Sequence, residues 1–384
     1  MKNSRGMLVC FLSRTGLVLV LLLQLQPTAS AQQPADAAAT RETKNLYASL
    51  FRIQKTGVLF GHQDALAYGV GWKGLSDESD VQRVTGEHPG LFGWDIAGIE
   101  QGKTANIDGV PFSAMREHIL RSFENGAAIT ISWHADNPLT AGNAWDTTHG
   151  SLASVLPGGT KHALYKIWLD RAAQFIGSLK TRNGTAVPVL FRPFHELTGN
   201  WFWWCRNNAK PDEFIALWRF TVSYLRDVKK IHQLLYVYNT ADYSSEAAFL
   251  EYYPGDEWVD VLSFDRYQYA GNGQREQFIS IVSRQLDIQH KLAVERKKPA
   301  AIAETGFEGI PDPLWWTQTL YPLLKRVPMA YVLLWRNHGY MPSTGTMHHY
   351  VPFPGHSSAK DFFRLYQLPD LIFERKVSSL QLYR

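Results

Sequence analysis

Eight short apolar segments restrict the possible folds of this chain more than any other feature. They lie at residues 58–61, 91–95, 128–134, 187–193, 234–240, 261–267, 300–306 and 330–337. Each is rich in Val, Ile, Leu or Phe without strict alternation, the pattern of strands covered on both faces. Helical patterns fill the intervals. Trp168, Leu169, Ala172, Phe175, Ile176 and Leu179 recur at three- and four-residue spacing, as do Phe214, Leu217, Trp218, Val222 and Leu225. Each set predicts one buried helical stripe. Phe278, Ile279, Val282, Leu286 and Ile288 follow the same rule less regularly. Pro211-Asp212-Glu213 marks a helix start, with a rigid first turn and acidic groups near the positive end of the dipole. Eight strands separated by helices predict an α/β fold, a single-domain (β/α)8 barrel with right-handed crossovers. An open doubly wound sheet is disfavoured, because no glycine-rich phosphate loop follows the first strand.

The N-terminus belongs to a different regime. Lys2, Arg5 and Arg14 precede an apolar run over residues 17–25, and Ala29-Ser30-Ala31 offers small residues for cleavage. That run is too short to cross a bilayer, so residues 1–31 read as a signal peptide. Residues 32–45 read as a short leader, and 46–384 as the barrel. The expected product is exported, periplasmic or extracellular, monomeric and without a membrane anchor. The signal carries three basic residues and no acidic one, so its loss takes the formal charge from +4 to about +1. No electrostatic case for a nucleic-acid partner survives. Cys10 leaves with the signal, so Cys205 stands alone and the fold must rest on its hydrophobic core.

Chemistry in this architecture gathers at the C-terminal ends of the strands. Those ends carry His62, Asp95, His134, the run Arg192 to Glu196, Asn239, Asp265 to Tyr267, Glu304 and Trp335. Uniform core filling does not predict that clustering, which accounts for part of the high content of 13 Trp and 17 Tyr. Asp95, Glu196, Asp265 and Glu304 are the carboxylates at these ends. One alone reads as readily as a structural ion pair to Arg192, Arg266 or Arg336. Two glutamates ending the fourth and seventh strands, beside His and Trp, point instead to glycosidic bond cleavage, which needs two carboxyl groups flanking the scissile bond.

The run Leu190-Phe191-Arg192-Pro193-Phe194-His195-Glu196, followed by Gly199, Trp201, Phe202, Trp203 and Trp204, resembles the signature of glycoside hydrolase family 26. Ser132-Trp133-His134 with Asn137-Pro138, Asp265-Arg266-Tyr267, Ala303-Glu304-Thr305-Gly306 and Trp335-Arg336-Asn337 resemble four further blocks of that family, in order. The resemblance implies a retaining enzyme that cuts β-mannan and needs neither cofactor nor metal. It implies Glu196 as acid/base and Glu304 as nucleophile. Tyr267 is implied as a hydroxyl donor to Glu304 and Arg192 as a charge partner in the same region. Asp265 joins the substrate-binding set, and His134 and His195 are implied to contact the sugar or orient the glutamates. Trp335 is implied as the platform under the −1 sugar, with Trp201 in the corresponding place on the leaving-group side. Of Trp203 and Trp204, at least one is expected in the core. Cys205 departs from the family pattern, where glycine is expected, and is read as a packed thiol.

A metal-dependent barrel hydrolase would draw on His62, His134 and His195, all at strand ends. His195-Glu196 lacks the second His that a zinc helix needs, and the fifth and sixth strands end without His. A non-catalytic glycan-binding barrel would keep the Trp residues but has no reason to keep both glutamates in full motif context. Within the enzyme reading, β-1,4-mannosidic linkages of mannan, glucomannan or galactomannan are the expected target. Mixed-linkage β-glucan and β-1,3-xylan are the alternatives that the family implies. Residues 135–161, with Trp145 among them, emerge at the active face. They are expected to wall off the non-reducing end, which favours release of mannobiose.

Overall fold

Hydrogen bonding closes the eight apolar segments on themselves. In the computed structural model, which describes residues 32–384 apart from 75, 76, 272, 343 and 344, the strands are β1 (Val58–Gln63), β2 (Leu91–Asp95), β3 (Ala128–Ser132), β4 (Val189–Arg192), β5 (Leu234–Thr240), β6 (Val261–Gln268), β7 (Ala300–Phe307) and β8 (Tyr331–Leu334). The expected signal peptide lies outside the described residues. Each strand pairs in parallel with its sequence neighbour, and β8 pairs with β1, so the sheet is a closed barrel. Only β6 carries side chains that are not fully buried, at Arg266 and Tyr267 near its C-terminal end. A register shift between Phe264 and Asp265 brings Asp265 level with Glu304 of β7. Irregularities of this kind re-aim side chains at barrel rims.

The longer helices are α1 (Arg41–Thr56), α2 (Phe112–Glu124), α3 (His162–Ser178), α4 (Pro211–Ser223) and α5 (Gln274–Arg296). Both regular stripes are buried throughout, from Trp168 to Leu179 and from Phe214 to Leu225. The third is not: Ile279 and Ile288 are only partly buried, while Gln285 and Gln289 are fully buried in their place. Gln289 donates to the carbonyls of Leu262 and Ala301, and Gln285 to that of Ala241. These amides satisfy buried backbone acceptors that an aliphatic side chain would leave orphaned. The N-terminus of α4 is closed as its sequence suggests, with Glu213 Oε2 accepting the Lys210 amide at 3.0 Å.

Three boundaries differ from those the sequence suggests. The segment read as a leader runs into α1 at Arg41 and is pinned to the barrel floor. The Ala35 amide donates to Asp260, and Asp36 pairs with His232. At the opposite face, β3 and β8 stop before His134 and Trp335, so both residues sit on loops just past the ladder.

Candidate active site

The chain leaves β4 at Arg192 and brings Glu196 to the mouth in an unusual backbone state. Glu196 has φ +55°, a left-handed conformation that costs a non-glycine residue about 1–2 kcal/mol. Its neighbours hold it there. The Glu196 amide donates to Asn239 Oδ1 at 2.6 Å, and its carbonyl accepts from the Gly199 amide at 2.8 Å and the Cys205 thiol at 3.4 Å. Cys205 is fully buried, and burial pushes its thiol up to about 12. Trp201 closes over the carboxyl, its indole N–H donating to Glu196 Oε2 at 2.5 Å. Gly199 permits that approach, since a Cβ there would meet the Trp201 ring at 2.6 Å. Trp203 and Trp204 are both core residues. Burial, and then the charge of Glu304, push the Glu196 carboxyl up to about 7. A carboxyl in that range is a proton donor at neutral pH.

Glu304 is held as an anion would be held. It is 3% exposed. Arg192 donates to its Oε1 and Tyr267 Oη to its Oε2, the latter at 2.7 Å. The other arm of Arg192 reaches Asp265 Oδ2 at 2.7 Å, and Asn239 Nδ2 donates to Asp265 Oδ1 at 2.8 Å. Asp265 thus has both oxygens committed to neighbours and is buried, so it acts through Arg192 and Asn239. One chain of contacts joins the amide of Glu196 to the carboxyl of Glu304. Breaking a buried pair of this sort costs about 3–5 kcal/mol, because a lone charge stays behind. One oxygen from each of Glu196, Asp265 and Glu304 lies within 4.8 Å of the others. Three acidic groups that close can hold a divalent cation, but here the guanidinium of Arg192 already supplies the positive charge.

The histidines form a separate arm. His134 Nδ1 lies 2.7 Å from Asp95 Oδ2, and the two Nε2 atoms of His134 and His195 are 3.0 Å apart. His134 therefore keeps no ring nitrogen free for a sugar. Its ring lies flat against half-exposed Trp145 at 5.2 Å, and partly buried Trp335 stands 6.2 Å away. On the other side of Glu196 opens a cavity of about 300 Å³, lined by Trp201, Arg206, Asp242 and Tyr269 among others. The sequence reading assigned no role to Asn239, which it placed only as a strand end, and passed over Arg206, Asp242 and Tyr269, which lie on loops without periodicity. His62 lies on β1 and is fully buried.

A closed parallel barrel with paired glutamates ending β4 and β7 defines a class of carbohydrate-active barrels, and relatives of the chain fall within it. The profile of Glycosyl hydrolase family 26 matches residues 35–295. The chain is 32% identical over 79% of its length to a mannan endo-1,4-β-mannosidase of Bifidobacterium adolescentis, of which it spans only 32%. Among solved structures, a family 26 β-mannanase from Bacteroides ovatus is 41% identical with a TM-score of 0.85, covering 90% of this chain and 98% of that one. The catalytic domain of a family 26 endo-β-1,4-mannanase from Bacillus sp. JAMB-750 is 30% identical with a TM-score of 0.84, covering 92% and 96% respectively. The chain belongs to glycosyl hydrolase family 26.

Proposed function

We propose that the chain hydrolyses β-1,4-mannosidic bonds with retention of anomeric configuration, Glu196 serving as acid/base and Glu304 as nucleophile. The observation that carries this reading is the unequal pair of carboxyls with oxygens within 4.8 Å. Inverting enzymes keep about 6.5–9.5 Å between their carboxyls to admit a water, whereas retaining enzymes keep about 5–5.5 Å. Protonated Glu196 gives its proton to the leaving oxygen while Glu304 Oε1 or Oε2 attacks the anomeric carbon. The carboxylate left on Glu196 then takes a proton from the water that releases the sugar from Glu304. Tyr267 and Arg192 hold the attacking carboxylate in place, and Trp335 supplies an apolar face for the ring. The relatives' stated activity on mannan supports the choice of substrate.

In finer terms, the protein is an exported monomer that releases mannobiose. Trp145 supports that product: its half-exposed ring is seated on His134, which also stands near Trp335. The loop behind it is ordered by Asn137, which bonds Ser151 and the carbonyl of Asp146. Incubation with mannan, mixed-linkage β-glucan and β-1,3-xylan, with reducing ends counted, tests the substrate. Activity confined to mannan is expected, and activity on either rival without mannan would sink the assignment. A time course on mannohexaose should show mannobiose from the earliest points. A broad ladder would replace that product with internal cutting.

A further inference from the structure

Asp95, at the end of β2, is a buried carboxylate with one ionic partner. It is 1% exposed, and among the described residues its ion pair is with His134 alone. Every bond it makes is one it accepts. Ala97 N–H donates to Oδ1 at 2.8 Å, and Ser132 Oγ and His134 Nδ1 reach Oδ2 at 2.7 Å each. The Ala97 and His134 amides, which can only donate, both face Oδ1, and Ser132 Oγ and His134 Nδ1 complete a set of donors that favours the anion. A neighbouring positive charge stabilises an anion that deep most strongly. His134 is the group placed to carry it.

Further geometry follows from a charged His134. Its second ring proton, on Nε2, points at His195 Nε2, 3.0 Å away. His195 must then accept at Nε2 and bear its own proton on Nδ1, an atom with no partner among the described residues. The opposite face of His134 lies against the Trp145 ring, with planes 15° apart, and an indole face favours a cation.

We propose that Asp95 is a positioning residue that holds His134 as a buried imidazolium, thereby fixing His195 as the Nδ1–H tautomer beside Glu196 and seating Trp145 against the cleft. The charged and titratable groups facing His134 are Asp95 from β2, Glu304 from β7, and His195 and Glu196 from the segment after β4. Asp64 faces it from the loop after β1, and Arg192 faces His195. Burial works against the charge on His134, and the Asp95 carboxylate outweighs it, so the ring stays above its ordinary range. His195 is held below the ordinary range by burial and by the His134 charge. The His134 cation also draws the Glu196 carboxyl down, opposing burial and Glu304.

Only the kinetic consequence rests on the hydrolase reading; the protonation states do not. Nitrogen-15 imidazole spectra of the whole protein near neutral pH read them directly, with signals assigned through His134→Gln and His195→Gln. One ring should carry protons on both nitrogens, and its neighbour should be the neutral Nδ1–H form. Asp95→Asn should abolish the doubly protonated signal. On mannan the same variant should lose about tenfold or more in kcat/KM, mainly in kcat, as loss of a charge-assisted hydrogen bond predicts. Its alkaline limb should move to higher pH, since Glu196 loses a facing cation. Two neutral rings in the native protein would overturn the proposal, whether or not the variant folds, and so would an imidazolium that survives Asp95→Asn. A protein inactive on mannan would leave the spectra unchanged, so failure of the functional reading is distinguishable from failure of this one.

Discussion

Glu196 and Glu304 are chemically identical side chains on opposite walls of one barrel mouth, and their surroundings differ in the way the proposed mechanism needs. The Glu304 wall is cationic and donor-rich: Arg192 and Tyr267 each take one carboxylate oxygen. The Glu196 wall offers one indole N–H, a strained backbone and an aromatic enclosure. One site stabilises charge and the other penalises it, and Glu304 itself is part of the penalty on Glu196. In the proposed mechanism, the role of each carboxyl is set by its neighbours. Substitutions that remove one wall at a time test that division.

The largest effect is expected at Glu304. Glu304→Ala should lower turnover of mannan on the order of a million-fold, as loss of a covalent nucleophile does in other hydrolases. Substrate binding, followed by calorimetry, should persist. Azide occupying the vacated space should displace an activated β-mannosyl group to give the α-azide, and a β-azide would contradict direct attack from the Glu304 side. Glu196→Ala comes next, with a cost of about 10²–10⁴ on mannan, the usual worth of a general acid. That loss should be selective. Aryl mannosides with acidic leaving groups need little protonation, so their first step should survive while release of the sugar slows. Equal losses on both substrates would remove Glu196 from the acid role.

Trp335→Ala should cost roughly 2–4 kcal/mol in kcat/KM, the scale of large aromatic truncations. A near-native value would make Trp335 an ordinary wall residue. The smallest effect concerns pH. Since burial and Glu304 raise Glu196 to about 7, the rate should fall as pH rises through that value. Stability shows the same shift. A raised carboxyl pKa means that the folded state binds the proton more tightly, so ionising Glu196 is penalised increasingly from its unfolded value up to about 7 and fully above it. Glu196→Gln should therefore leave Tm unchanged near pH 4 and raise stability at pH 8 by roughly 1–2 kcal/mol, allowing for the solvent that still reaches the group. Equal stability of the two proteins at both pH values would break the comparison at its electrostatic root.

The barrel was legible because double-sided burial leaves an unmistakable record. Segments such as 91–95 and 234–240 coincide with β2 and β5, and stripes such as Phe214 to Leu225 are buried throughout. That the two glutamates meet was legible in their place at strand ends, where packing gives no reason for polar residues. Less legible were groups whose meaning lies in a partner far along the chain. Asn239 reads as the end of a strand, yet it joins the Glu196 amide to Asp265. The buried glutamines of α5 break a hydrophobic stripe for the sake of carbonyls on β6, on β7 and just past β5. Asp95 reads as one carboxylate among four, and only the fold reveals that it is the one bonded to a His134 ring nitrogen. Periodicity reports which side of an element is buried, but it carries no record of which buried polar groups meet.

The division of labour between the two walls is tested most directly by the stereochemistry of the first product. If Glu304 attacks and Glu196 protonates and then activates water, two inversions return the original configuration. Proton NMR of an early digest should show the β-anomer of the new reducing end before mutarotation, with the α-anomer growing in afterwards. Prior appearance of the α-anomer would mean a single displacement by water, and would contradict both the nucleophilic role of Glu304 and the separation of roles built on it.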